Sequence, residues 1–235
     1  MTASRGKRRF LVLLCLCGAA LFSALGVWQV ERRAWKLDLI ARVDARIHAP
    51  PTAVPGRKDW AGINARDDEY RRVRTSGTFL NDRETLVDAL TEQGAGFWVV
   101  TPLQTDSGTI LVNRGFVPPE RKAPEARSAG LRAGRVEVTG LLRMSEPKGR
   151  LLRPNRPAED RWYSRDVAAI AKTRGLTNVA PFFIDADAMP NPGGYPIGGL
   201  TVVTFRNMHL VYAVTWFGLA ALCVAGLVVL FRREP

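Results

Sequence analysis

Two long stretches without charge limit how this chain folds more than any other feature. One is residues 210–231, 22 residues without a charged side chain, and the other is residues 10–30. An α-helix rises about 1.5 Å per residue, so each stretch is long enough for the roughly 30 Å of a bilayer core. We therefore predict two transmembrane α-helices, one near each end of the chain.

Basic residues beside these stretches predict the orientation. Arg5, Lys7, Arg8 and Arg9 precede the first stretch, and Arg232 and Arg233 follow the second. Cytoplasmic flanks are rich in Lys and Arg, so both termini are expected in the cytoplasm, in a hairpin topology. The first stretch begins like a secretory signal, but its length and the absence of an Ala-x-Ala site favour a retained helix. No room precedes Phe10 for an organelle transit peptide, so we expect a bacterial inner membrane.

The resulting scheme has five parts. We expect a cytoplasmic N-terminal tail (1–9), a transmembrane helix (10–30), a periplasmic β-rich domain (31–209), a second transmembrane helix (210–231) and a cytoplasmic C-terminal tail (232–235). The net charge of +12 fits this scheme, because basic residues beside membrane spans attract anionic lipid headgroups. The lipid bilayer is thus an expected partner. Nucleic acid is not, since no basic–aromatic motif of a nucleic-acid module occurs.

The middle region is predicted to be β-rich. Residues 31–47 first continue the helix, and Pro50 and Pro51 break it. A short helix is expected at 164–174, with Ser164 as its N-cap. Residues 190–199 form a loop, and a hairpin turn is expected at 106–108. Runs rich in β-branched and aromatic residues predict strands at 70–79, 84–90, 96–101, 109–113, 135–142, 182–185 and 200–205. The expected fold is a barrel-like or sandwich domain with one short helix.

Residue counts argue against an enzyme. The three cysteines, Cys15, Cys17 and Cys223, lie in the apolar stretches, which leaves the middle region without disulfides or thiolate ligands. A Ser-His-Asp triad there would have to use His48, which lies in a proline-rich segment. A glycine-rich phosphate loop is also missing. A periplasmic enzyme remains the least favoured alternative.

His209 lies at the polar entrance of the second apolar stretch. On a helix it shares a face with Tyr212 and Trp216, at i+3 and i+7. An imidazole can bind a haem iron axially, and flat aromatic walls suit the macrocycle. Trp28 and Gln29 lie at the same depth at the end of the first span, so Gln29 could hold the other imidazole nitrogen. The alternative is that these residues are ordinary anchors at the membrane interface.

Five segments carry a resemblance to a known family. They are Leu25-Gly-Val-Trp-Gln29 followed by Arg32 and Lys36, Gly96-Phe-Trp-Val-Val-Thr-Pro-Leu103, Val112-Asn-Arg-Gly-Phe-Val-Pro118, Phe183-Ile-Asp-Ala-Asp187 and Asn207-Met-His-Leu-Val-Tyr-Ala-Val-Thr-Trp-Phe-Gly-Leu219. Together they resemble the Surf-one family (surfeit-locus protein one), assembly factors of cytochrome c oxidase. The similarity covers nearly the whole chain, and Phe116 stands where the family usually has Trp.

The resemblance implies two membrane helices, a large domain outside the cytoplasm, and a role in maturing the haem a centres of the oxidase's catalytic subunit. It links His209 to haem a binding. A first hypothesis is a haem a chaperone that takes haem a from haem a synthase, holds it through His209 with Tyr212, Trp216, Trp28 and Gln29 around it, and passes it to the catalytic subunit. The client, a cytochrome c or a quinol oxidase, stays open.

A second hypothesis is a scaffold that holds the catalytic subunit while other factors insert cofactors. His209 and Arg206 would then anchor the helix. The segment 113–117 would be a contact loop of the β domain, unless it is only a strand-ending turn.

Overall fold

The structure is a computed structural model that describes residues 5–150, 153–188, 190–201, 203, 205 and 207–232. The chain divides into two compact units, Met1–Arg42 with Val203–Pro235, and Val43–Val202. The described part contains four α-helices: α1 (Arg5–His48), α2 (Ala65–Asp68), α3 (Val167–Thr173) and α4 (His209–Arg232). Arg206, the predicted anchor of the scaffold hypothesis, and Arg233 lie outside the described residues.

The first unit contains a pair of apolar helices. The most apolar windows of α1 and α4 have mean hydropathies of 2.5 and 2.4, and both helices are long and apolar enough to cross a membrane. The contacts between them run in opposite chain directions, because Gly18 faces Cys223 whereas Phe22 stacks on Trp216. The two helices are therefore antiparallel. The membrane topology and the location in a bacterium stay predictions.

Helix α1 continues well beyond its apolar stretch. It ends at His48, just before Pro50 and Pro51, as the sequence predicts. Its last turns belong to the second unit, where Arg46 donates to the backbone oxygens of Arg66 (2.7 Å) and Glu69 (3.1 Å). The charged extension thus packs on the β domain through its final turns.

The second unit is a small barrel with two added strands. Its seven-stranded sheet has the order β1-β2-β6-β7-β5-β4-β3, and β2 also pairs with β4. That pairing, Thr78 with Gln104 and Phe79 with Leu103, closes a ring of β2, β6, β7, β5 and β4. The ring selects a barrel over a sandwich. The strands are β1 (Thr52–Ala53), β2 (Arg72–Phe79), β3 (Thr85–Thr91), β4 (Gly94–Thr105), β5 (Gly108–Val117), β6 (Arg135–Met144) and β7 (Val179–Ala186).

Both faces of the central strands are buried. The interior cluster takes side chains from all five ring strands: Val73, Phe79, Leu103, Ile110, Val112, Val138, Leu142, Ala180, Phe182 and Ile184. Leu111 and Phe183 point the opposite way and pack with Trp162 and with α3 residues Val167 and Ile170. Successive side chains of a strand point to opposite faces. The continuous apolar runs on β5 and β7 therefore contribute side chains to both hydrophobic clusters.

Several predicted element boundaries need correction. The N-cap of α3 is Asp166, whose carboxylate accepts from Ala169 N over 3.1 Å, and not Ser164. Ser164 is held two residues earlier because its hydroxyl donates to Glu146 O over 2.7 Å. The described residues of the predicted strand 200–205 (200, 201, 203 and 205) belong to no strand.

The segment 113–117 is not a contact loop. It forms the end of β5, and all five residues are buried. The chain continues as a strand because Gly115 adopts φ +128° and Phe116 N donates to Ile197 O over 2.8 Å. The contact surface proposed for the scaffold hypothesis is therefore wrong.

Candidate functional site at the start of α4

His209 and Gln29 form the centre of the candidate site. His209 is the first residue of α4 and is half-buried, while Gln29, on α1, is 8% exposed. The distance from His209 Nδ1 to Gln29 Oε1 is 2.7 Å. An amide oxygen only accepts hydrogen bonds, so Nδ1 carries a proton, and in the neutral imidazole the lone pair is then on Nε2. A lone pair on a neutral imidazole is what a metal ion needs from a histidine ligand.

Small and aromatic residues let the two helices approach at this level. A Cβ on Gly26 would lie 2.6 Å from Phe217 Cε1, so a larger residue would push the ring of Phe217 away. Gln29 follows Gly26 at i+3 and lies on the same face of α1. The close approach at Gly26 therefore brings the Gln29 amide within reach of His209.

The predicted aromatic residues lie in different environments. Trp216 is half-buried and stacks on Phe22, with ring centroids 5.7 Å apart and 17° between the planes. Tyr212 and Trp28 are 54% and 53% exposed. Of the predicted site residues, His209 and Gln29 are joined by a hydrogen bond, while Tyr212 and Trp28 display their rings on the surface of the helix pair.

Phe22 is a residue that the sequence analysis missed. It lies at i−7 from Gln29 and i−4 from Gly26, so the three share one face of α1. The helical spacing that grouped His209, Tyr212 and Trp216 on α4 would have identified Phe22 if it had also been applied to α1.

Cationic side chains lie on α1 just after its apolar stretch. Lys36 follows Gln29 at i+7, and its Nζ lies 4.8 Å from the ring centre of Phe205, in the segment that leads into His209. The Arg32 guanidinium lies 4.0 Å from the ring centre of Trp35. Cationic side chains of this kind suit ligands that carry carboxylates.

The donor set fits a metal that brings most of its own ligands. Among the described residues, no group of three His, Cys, Asp or Glu side chains is placed to hold a metal ion. A haem supplies four nitrogen ligands of its own and needs the protein for one axial bond. A single imidazole with exposed aromatic rings on neighbouring turns is a donor set of that kind.

The second unit contains a buried network of charges. Asp185 is 2% exposed and accepts from Arg143 (2.9 Å), Arg165 (2.8 Å) and Asn113 (2.7 Å). Both carboxylate oxygens are engaged, Oδ2 by Arg143 and Oδ1 by the other two. The network therefore joins strands β5, β6 and β7 to the segment before α3.

Glu146 extends this network. It accepts from Arg165 Nη2 over 2.5 Å and from Arg165 Nε over 3.1 Å. Burial alone would raise the pKa of Glu146, but the hydrogen bonds and charge of Arg165, helped by Arg143, outweigh it, and the pKa lies below its usual value. Glu146 is thus held as a carboxylate at neutral pH.

A cavity of about 380 Å³ lies beside this network. Its lining includes Trp98, Asn113 and Asp185, one residue from each of three segments that carry the family resemblance. The four ion-network residues that border it (Asn113, Arg143, Arg165 and Asp185) already bond to one another. His48, the other histidine, is exposed, and its Nδ1 lies 2.9 Å from Asp44 O. It has no part in this cavity.

Comparisons with known proteins agree with the family resemblance. The sequence model of the SURF1 family matches residues 16–221. The chain is 41% identical over 215 residues to "Surfeit locus protein 1" of Homo sapiens, covering 84% of this chain and 69% of that protein. It is 40% identical over 226 residues to the Rattus norvegicus protein of that name, covering 89% and 71%.

A more distant relative gives the same answer. The chain is 38% identical over 224 residues to a "SURF1-like protein" of Monosiga brevicollis, covering 89% of this chain and 83% of that protein. A match over most of the chain, with these identities, leaves no doubt about the relationship. The chain belongs to the SURF1 family.

Proposed function

We propose that this protein is a membrane-bound assembly factor of a haem–copper oxidase and that it carries haem a on His209. The observation that supports this most directly is the hydrogen bond from His209 Nδ1–H to Gln29 Oε1, 2.7 Å long, which in the neutral imidazole leaves the lone pair on Nε2. The family resemblance to cytochrome c oxidase assembly factors gives the haem its identity. The role is not enzymatic, because the chain needs to hold and release a group and not to transform it.

Each site residue has a separate task in this proposal. His209 would hold the haem iron through Nε2, and Gln29 orients the imidazole and favours the tautomer with the proton on Nδ1. Tyr212, Trp216 and Trp28 offer aromatic surface to the macrocycle. Lys36 and Arg32 offer cations to the two propionate carboxylates of the haem. Bound haem a would supply the iron that accepts the imidazole lone pair.

One axial histidine suits transient binding. The chain would hold the haem through this one side chain, and the site lies where α4 begins. The haem would come from haem a synthase and go to the catalytic subunit of the oxidase. We place the site at the periplasmic side of a bacterial inner membrane, with both termini of the chain in the cytoplasm.

The test compares the two histidines of the chain. Full-length wild type, His209→Ala and His48→Ala are purified from cells that make haem a, and the haem content and visible spectrum of each are recorded. We expect His209→Ala to lose haem and His48→Ala to keep it. Added imidazole should restore the spectrum of His209→Ala if the fold is intact. Equal haem in His209→Ala and wild type would remove His209 as the ligand.

A second candidate is the scaffold that holds the catalytic subunit without carrying haem. One observation favours it: Leu90, on the outer strand β3, is 74% exposed, the only large apolar side chain so exposed in the described part of the β domain. An outer strand that displays an exposed leucine suits docking of another protein. Copurification of the oxidase subunit from cells unable to make haem a, abolished by Leu90→Lys, would favour this candidate.

A further inference from the structure

A groove lies at the end of the helix pair opposite to His209. It is formed by the first turns of α1 and the last turn of α4, has a volume of about 540 Å³, and is lined by Arg8, Arg9, Val12, Leu13, Leu16 and Phe231. All of these residues belong to the first unit. The groove lies outside the proposed haem site, because α1 and α4 are antiparallel and His209 is at the other end of α4.

The lining is cationic at one end and apolar along the rest. Arg8 and Arg9 contribute the cations, and Val12, Leu13 and Leu16 continue the same helix towards its apolar centre. From Arg9 to Leu16 a helix rises about 10 Å. Phe231, on α4, provides a flat apolar wall on the other side. A ligand for this groove needs an anionic head and a hydrocarbon tail.

The described side chains that line the groove carry positive charge only. None of the lining residues is acidic, and the first acidic residue of α1 is Glu31, more than twenty positions after Arg9. Lys7 adds a further cation in the same turn, but its exposed side chain is not part of the lining. Basic residues beside a membrane span attract anionic headgroups, and here two of them border an apolar groove.

We propose that this groove binds one anionic phospholipid. The phosphate group lies against the guanidinium groups of Arg8 and Arg9, and one acyl chain runs along Val12, Leu13 and Leu16, facing Phe231. Arginine suits this task because its planar donors match phosphate oxygens in pairs. The lipid would fasten the two helix ends together, at the opposite end from the His209–Gln29 hydrogen bond.

The experiment is native mass spectrometry of the full-length protein in a neutral detergent. Phosphatidylglycerol and phosphatidylcholine with the same acyl chains are titrated separately. We expect one phosphatidylglycerol per chain, bound at least roughly fivefold more tightly than phosphatidylcholine, as one to two favourable charges near a membrane surface provide. Equal binding of both lipids would show that the groove binds acyl chains without recognising the anionic headgroup, and would overturn the proposal.

Matched variants distinguish lipid binding in the groove from a general electrostatic attraction to the basic N-terminal segment. Arg9→Gln and Lys7→Gln remove the same charge two positions apart, but only Arg9 lines the groove. Arg9→Gln should weaken phosphatidylglycerol binding roughly fivefold, and Lys7→Gln should leave it nearly unchanged. An equal loss in both would show diffuse attraction and contradict the proposal.

Two further measurements test the role of the apolar side chains of the groove. Phe231→Ala keeps the charge and should also weaken binding of phosphatidylglycerol. Soluble glycerophosphoglycerol, which has the same headgroup and no acyl chains, should not displace the lipid at equal concentration. Displacement by it, or unchanged binding in Phe231→Ala, would mean that the groove recognises free phosphate and not a phospholipid.

Discussion

Asn113 and Asp185 lie on the neighbouring parallel strands β5 and β7, and Asn113 Nδ2 donates to Asp185 Oδ1 over 2.7 Å. Arg143 on β6 and Arg165 before α3 donate to the same carboxylate. Four side chains from four separate parts of the sequence thus meet around one buried charge. Such a carboxylate is stable only while its partners remain, because an unpaired buried charge is costly.

Replacement of the carboxylate should therefore destabilise the barrel. We expect Asp185→Asn to lower the free energy of unfolding by about 3 kcal/mol, because Arg143 and Arg165 lose the buried carboxylate that they share and keep only Glu69 and Glu146 as counter-charges. The measurement is denaturant-induced unfolding of the full-length protein in detergent, followed by tryptophan fluorescence. Asp106→Asn is the control, since the Asp106–Arg135 ion pair is exposed and should contribute little. Equal effects of the two substitutions would contradict a structural role for Asp185.

Gly115 allows the second half of β5 to form. Its φ is +128°, and a Cβ there would lie 2.1 Å from Ile197 O. Gly115→Ala should break the pair of hydrogen bonds between Phe116 and Ile197 and destabilise the protein by roughly 1–3 kcal/mol, the range for strained backbone. Thermal unfolding of the full-length variant measures the loss.

Gly134 provides the matched control for this substitution. It also has a positive φ, +76°, but nothing lies within 4 Å of a Cβ built on it. Gly134→Ala therefore introduces backbone strain without a steric clash. It should lower the stability of the protein less than Gly115→Ala does. A larger loss in Gly134→Ala would show that the approach of Ile197 is not what restricts position 115.

Local sequence patterns predicted most strands but not where they end. The predicted strand 96–101 stops before Pro102, since proline has no N–H to donate. In the structure β4 continues to Thr105, because residues 102–105 pair with β5 residues 108–111 and the carbonyl of Pro102 accepts from Leu80 N over 2.9 Å. The extension of β5 past Asn113 depends on Ile197, which is remote in sequence. Neither partner is visible in a window of a few residues.

The candidate site was more predictable than these boundaries. Helical spacing grouped His209 with Trp216, and the equal depth of two antiparallel spans suggested Gln29 as a partner of the imidazole. The packing of Phe22 on Trp216 needs the rotation of each helix about its axis, which helical spacing on α4 alone does not give. The buried network of Asp185 needs the strand order, which the sequence did not reveal.

The network of Glu146 and Arg165 predicts a pH dependence of stability. The pKa of Glu146 is lower in the folded protein than its ordinary value of 4.5, so its contribution to stability is present above pH 4.5 and is lost as the pH falls through the folded pKa. We expect wild type to be more stable than Glu146→Gln at pH 7, and this difference to shrink below pH 4.5. Thermal unfolding of both proteins from pH 7 to 3 measures it.

Exposed Glu125 offers the comparison for this series. Glu125→Gln should follow the wild-type pH profile throughout. A difference between wild type and Glu146→Gln that stays constant down to pH 3 would mean that the carboxylate charge contributes nothing to the network. The loss in Glu146→Gln would then come from altered packing alone.

Gln29 should control how strongly His209 donates to iron. Gln29→Leu removes the acceptor for Nδ1–H, and we expect a roughly 10- to 100-fold loss of haem affinity, the usual effect of losing such a partner. Gln29→Glu keeps an acceptor and makes it anionic, which raises the basicity of the imidazole. It should retain haem and shift the reduction potential of the bound haem to more negative values. Haem titration by absorbance, with potentiometry of the loaded protein, measures both effects. If Leu and Glu at position 29 weaken binding equally, with no change in potential, Gln29 supports only the packing of α1 on α4 and the hydrogen bond to His209 has no role in holding haem.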